Sequence, residues 1–166
     1  VRHCGGRPTP QDKLHVTVAF LGSLTAEELA RAAAVPAPEV GSFELEFDTL
    51  GYWARRKILW LAPSRVPEAL LALEQVLWER LRAQGFVREP RIFRPHLTLC
   101  RRARECTEAV KPVHWRVCEV TLMESIGDDQ GGRYEPLRAW PLRAAEDAFS
   151  ANEGKTVGCD DGDSVK

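Results

Sequence analysis

The sequence predicts an α+β domain built from two related lobes, in which antiparallel strands carry outer helices. Three observations lead there. Short runs rich in β-branched and aromatic residues alternate with two segments of helical periodicity. The elements are traversed in two similar passes, strand–helix–hairpin and then helix–strand–hairpin, with no simple short-period repeat. Within each pass one strand opens on the same polar pattern, His-x-Thr, at residues 15–17 and again at 96–98.

Each element has its own signal. Leu14–Leu21 reads LHVTVAFL and stops at Gly22-Ser23, which predicts a strand. Thr25 is a helix N-cap with Glu28 in the capping-box position, so a short helix should run from there until Pro36. Phe43–Phe47 alternates apolar with acidic residues, as a half-buried strand does. Lys57–Ala62 follows an Arg55-Arg56 turn as a second strand, and the two are expected to form a hairpin. From Pro67 to Gly85, Leu70, Leu71, Leu73, Leu77, Trp78 and Leu81 recur at helical spacing. Arg94–Cys100 reads as another strand, and Val113–Ser125 with Arg133–Leu142 as a closing antiparallel pair. Past Leu142 the apolar periodicity ends, so residues 143–166 are expected to be a disordered tail.

Composition bounds the function. A chain of 166 residues suits one domain. The formal charge of −1 excludes a protein that coats nucleic acid by bulk attraction, so any RNA contact must be local. Cys4, Cys100, Cys106, Cys118 and Cys159 are odd in number and lack CxxC spacing, which suggests neither a disulfide framework nor a zinc site. That pattern fits a reducing cytoplasm. No apolar run is long enough to span a membrane and no signal-peptide pattern opens the chain. The first residue is Val1, consistent with a chain that begins inside a longer protein.

The chemistry rests on the repeated motif. Only four histidines occur, and two of them open His15-Val16-Thr17-Val18 and His96-Leu97-Thr98-Leu99. Chance would give such a pair in roughly one chain in several hundred. Side chains at i and i+2 of a strand share a face. His15 and Thr17 therefore oppose Val16, Val18 and Phe20, and His96 and Thr98 oppose Leu97 and Leu99. Each strand can press an aliphatic row into a core while presenting an imidazole and a hydroxyl to a cleft.

Imidazoles exchange protons near neutral pH, so two of them can serve as general base and general acid. The threonine hydroxyls can donate to non-bridging phosphate oxygens. No carboxylate or cysteine is placed to complete a metal site with the histidines. His3 and His114 lack a threonine two residues on, so they are expected to be non-catalytic.

These residues resemble the two-histidine phosphoesterases, and within them the RNA 2′,3′-cyclic phosphodiesterases also called 2′-5′ RNA ligases. The resemblance is carried by KLHVTVAFLG at 13–22, FRPHLTLCR at 93–101, and GRYE at 132–135 leading to Trp140-Pro141-Leu142. It implies a bilobal fold of pseudo-symmetric antiparallel lobes with outer helices around a central cleft, each lobe giving one His and one Thr. It implies His15 as proton donor and His96 as proton acceptor, with no metal or cofactor. The reaction would open a 2′,3′-cyclic phosphate at an RNA end to a 2′-phosphomonoester, by a protein acting as a monomer. Relatives of this kind place a strand and a helix ahead of the first motif. Here His15 arrives almost at once, so residues 1–142 are expected to form the domain without that first strand and helix.

Further residues are candidates for binding substrate. Arg94, Arg101, Arg102 and Arg104 flank the second motif, while Arg55, Arg56 and Lys57 sit in a turn; they are either a basic rim for RNA phosphates or solvated turn charges. Arg101 matches a position of the family, yet regular alternation sets it on the face opposite His96. Tyr52, Trp53, Phe93 and Tyr134 are candidates to stack a base or to pack in the core. Trp60, Trp78, Trp115 and Trp140 are assigned to the core or its margins. Two other functions use the same motifs: a phosphodiesterase for small cyclic nucleotides or 2′-5′ oligonucleotides, and an RNA-binding module without turnover.

Overall fold

Helix α1 (Ala26–Ala33) begins at the predicted cap. Thr25 Oγ1 accepts the Glu28 N–H at 3.2 Å, and the Glu28 carboxylate accepts the Thr25 N–H at 2.8 Å. The two bonds satisfy backbone donors that the first helical turn leaves orphaned. Helix α2 (Glu68–Ala83) occupies the long periodic segment. Its Leu70 and Leu73 join Val40, Leu45, Phe47, Leu61 and Leu142 in the main core, and its Trp78 and Leu81 join Val35 in a second cluster. Each such side chain contributes roughly 1.5–3 kcal/mol on burial. Glu74, the buried charge of α2, is neutralised by Arg88 at 2.7 Å.

A four-stranded antiparallel sheet of order β1–β5–β4–β3 joins Arg7–Pro8 (β1), Leu97–Arg101 (β5), Ile58–Ala62 (β4) and Thr49–Trp53 (β3). Phe43–Phe47 (β2) pairs with Val113–Val117 (β6), and Glu119–Ile126 (β7) with Arg133–Pro141 (β8). The computed structural model describes residues 4–127 and 133–144. Within them the predicted α+β class, antiparallel sheets with two α-helices, is what the chain adopts.

Pairing departs from the sequence expectations in three places. Leu14–Leu21 has no ladder partner among the described residues and is not a strand; β-branched composition supplies propensity, whereas a strand needs a neighbour's backbone groups. The expected hairpin of Phe43–Phe47 with Lys57–Ala62 is replaced by β3–β4, with β2 given to β6. Val113–Ser125 is two strands broken at Cys118, of which only β7 meets β8. Ahead of His15 the described chain forms only β1 and a 3-10 turn at Gln11–Lys13.

Other boundaries also move. Phe20 does not follow Val16 and Val18 inward but is 64% exposed. Arg143 belongs to the domain, not the tail: its N–H donates to Val40 O, its carbonyl accepts from Ser42, and its guanidinium pairs with Glu39 at 3.0 Å. The rest of the expected tail beyond Ala144 lies outside the described residues.

Cys4 and Cys106 form a disulfide, Cα to Cα 5.6 Å, which the cysteine count did not suggest. It removes the argument for a reducing compartment. The bridge ties residues 4–9 along β5, where Arg104 N donates to Cys4 O and Thr9 N to Leu99 O, each at 2.8 Å. Cys100 is buried beside it, and burial pushes its thiol pKa up, which keeps it protonated.

Candidate active site

His15 and His96 sit in matching local frames. In each motif the imidazole Nδ1 donates to the carbonyl two residues back: Lys13 O at 2.8 Å and Arg94 O at 2.7 Å. A carbonyl oxygen can only accept, so the bond holds the proton on Nδ1. Nε2 is then the lone pair of a neutral ring or the donor of a charged one. An aromatic ring meets each imidazole edge-on: Tyr134 at 4.8 Å from His15 and Trp53 at 4.7 Å from His96. Carbonyl and ring together restrict each imidazole to one orientation.

The two frames also share a foundation. Val16 and Val18 of the first motif and Leu97 and Leu99 of the second all pack against the main core. His15 and Thr17, beside Val16 and Val18, are exposed, while on β5 Thr98 alternates with Leu97 and so points away from that core. Thr17 is exposed and Thr98 half-buried, and neither hydroxyl makes a hydrogen bond among the described residues.

Arg101 lies on the site face, contrary to regular alternation. Along β4–β5, Trp60 faces Thr98 but Leu59 faces Cys100, so Leu99 is a surplus residue that bulges β5. Directly paired residues share a face. Arg101 pairs with Ile58, which lies on the Trp60 side of β4, so the bulge carries Arg101 to the side of Thr98 and His96. Leu99 and Cys100 both turn to the core side, as their packing shows.

Behind His96 stands a support that sequence reasoning missed. Trp53 rests against Trp60, centroids 5.6 Å apart, and Trp60 crosses Gly51 so closely that a Cβ there would stand 2.1 Å from the indole. The available signal was Gly51 within a strand-like run, a mark of close approach by another group. Trp60 and Trp53 thus belong to the layer that backs the site.

The two motifs thus seat their aliphatic residues on one core cluster, and β5, which His96 immediately precedes, carries Thr98 and Arg101 toward one side. Imidazole, hydroxyl and guanidinium groups of this kind can transfer protons and bind a phosphate. Comparison with known proteins fits the same chemistry: a family model described as the 2′-5′ RNA ligase superfamily matches residues 1–129. The chain belongs to this superfamily.

Among superfamily members, the RNA 2′,3′-cyclic phosphodiesterase of Escherichia coli K12 is 35% identical over 82% of this chain and 80% of its own length. The protein of the same name from Thermus thermophilus is 31% identical over 84% of this chain and 77% of its own length. The crystal structure of E. coli LigT in apo form aligns at a TM-score of 0.73 and 33% identity, covering 83% of this chain and 81% of LigT.

The remaining candidates fall outside the layer of rings and motif residues. Phe93 packs against the main core, and Tyr52 donates its hydroxyl to Ala103 O at 3.0 Å from the opposite face of β3. Arg94 is exposed, and only its carbonyl, through His96, engages the site. His114 sits exposed on β6 opposite Glu46, while His3 lies outside the described residues. No helix among the described residues is long and apolar enough to cross a membrane. Nor do any three His, Cys, Asp or Glu side chains among those residues gather as a metal-holding group.

Proposed function

We propose that this chain opens 2′,3′-cyclic phosphates at RNA ends to 2′-phosphomonoesters, with His96 as proton acceptor and His15 as proton donor and no metal in the step. The observation that carries the reading is the pair of matching Nδ1-to-carbonyl bonds, which leave each histidine one reactive nitrogen. Neutral His96 takes a proton from water through Nε2 as the water oxygen bonds to phosphorus. The P–O3′ bond breaks, and protonated His15 gives its Nε2 proton to the departing 3′ oxygen. The products are a 2′-phosphate and a 3′-hydroxyl; solvent returns the two imidazoles to their starting states.

Thr17 and Thr98 donate to the non-bridging oxygens, whose charge must be held as the phosphorus becomes five-coordinate. Arg101 supplies a full positive charge from the same face, and Tyr134 and Trp53 border the sugar and base. Both motifs come from one chain, so a monomer suffices. The names borne by the relatives support this choice of substrate.

The test is incubation of chelator-treated protein with an RNA ending in a 2′,3′-cyclic phosphate, followed by identification of the terminal phosphate. A 2′-phosphate is expected, with His15→Ala and His96→Ala each slower by roughly 10²–10⁴-fold. A 3′-phosphate product, or activity that survives either substitution, contradicts the assignment.

A further inference from the structure

Two basic segments that the sequence separates meet at one end of the four-stranded sheet. The β3–β4 turn carries Arg55, Arg56 and Lys57; the chain leaving β5 carries Arg101, Arg102 and Arg104. They are stitched together by the Ala103 N–H donating to Lys57 O at 2.9 Å and by the pairing of Ile58 with Arg101. All six side chains are exposed, and none makes an ion pair with an acidic residue among those described.

Two features make this end more than a solvated turn. Lys57 (φ 51°) and Arg102 (φ 54°) hold the left-handed conformation, where glycine or asparagine would be cheaper, so long cations occupy strained positions. The patch is also continuous with the site, because Arg101 follows Thr98 by three residues, roughly 10 Å along the strand. With a chain charge of −1, this concentration of cations is local.

We propose that this basic end is a track for the RNA strand on the 5′ side of its cyclic terminus, so that the protein selects oligonucleotides over mononucleotides. The inference rests on the proposed function and deepens it. Arg101 marks the entrance beside the reacting phosphate, and the turn cations receive the preceding phosphodiesters. A polyanion fits because exposed cations from two adjoining segments lead away from Arg101.

The experiment uses the full chain and an Arg55→Ser/Arg56→Ser variant, both exposed turn positions outside the reacting group. Turnover is measured on a single-stranded RNA oligomer with a 2′,3′-cyclic phosphate and on adenosine 2′,3′-cyclic phosphate. Binding of the fluorescein-labelled oligomer is followed separately by anisotropy across a salt series. The expected result is about a tenfold or greater loss of oligomer kcat/KM and affinity, and no change with the mononucleotide. The slope of log affinity against log salt should be shallower by about 1.4, the loss of two phosphate contacts on a single strand. Oligomer turnover and binding that are unchanged in the variant overturn the track. If neither substrate reacts but the variant still binds the oligomer tenfold more weakly, the track stands and the proposed reaction falls.

Discussion

The support behind His96 can be tested by adding one methyl group, through Gly51→Ala. The new Cβ would stand 2.1 Å from Trp60 Cζ2 and 2.2 Å from Cη2. Ordinary contact begins at 3.4 Å, so the indole has to retreat by about 1.3 Å. A rigid bicyclic ring cannot absorb that by bending, and its neighbour is Trp53, whose edge meets the His96 ring at 4.7 Å. Overpacking of this kind costs about 1–3 kcal/mol, which in a domain of this size lowers Tm by roughly 3–9 °C.

A misplacement of about 1 Å at a catalytic group can lower the rate on the order of 10²-fold. Thermal unfolding and kcat/KM for cyclic phosphate opening are therefore both expected to fall. Trp60→Leu removes the obstructing atoms, so adding Gly51→Ala to that background should cost little. If Gly51→Ala leaves both quantities intact, or costs the same with and without Trp60, the relay from Gly51 through Trp60 and Trp53 to His96 is wrong.

Three more outcomes follow from the structure. Thr98→Val keeps the side-chain volume but removes the donor proposed for the phosphate; kcat should fall by roughly 10²–10³-fold with the unfolding midpoint nearly unchanged, and unaltered kcat would remove Thr98 from the site. The Cys4–Cys106 bridge closes a loop of sequence separation 102, so a dithiol or Cys106→Ala should lower stability to urea by about 2–5 kcal/mol, whereas equal midpoints with and without dithiol would show that the bridge does not form. The Asp48 carboxyl is held below its ordinary range by hydrogen bonds from the Ser64 hydroxyl and N–H. Its contribution is present above the ordinary carboxylate pKa and is lost as pH falls through the lowered one. The stability gap between wild type and Asp48→Ala should accordingly close in acid; a gap that widens there contradicts the sign.

How much of this was legible depended on the range of each signal. The Thr25 cap and the α2 stripe were visible because capping and helical periodicity are local. The motif pair was visible because its two copies repeat the same polarity. Strand partners were not: the Phe43–Phe47 run is a strand wherever it pairs, and its choice of Val113–Val117 is made by packing far along the chain. β3 escaped notice because Gly51 interrupts the alternation that marks a strand. Regular alternation sets Arg101 opposite His96 because period two assumes no surplus residue, and the bulge at Leu99 is fixed only by the β4 register. The disulfide joins cysteines with no shared motif, so the count alone could not pair them.

The common seat of the two motifs has a mechanical consequence. Because Val16, Val18, Leu97 and Leu99 rest on one cluster, a disturbance of that cluster reaches the backbone of both motifs. The flanking rings differ, since Tyr134 touches only His15 and Trp53 only His96. A shift there acts on one imidazole at a time. Exchange of either ring loosens the orientation of one imidazole and leaves the contacts of the other in place.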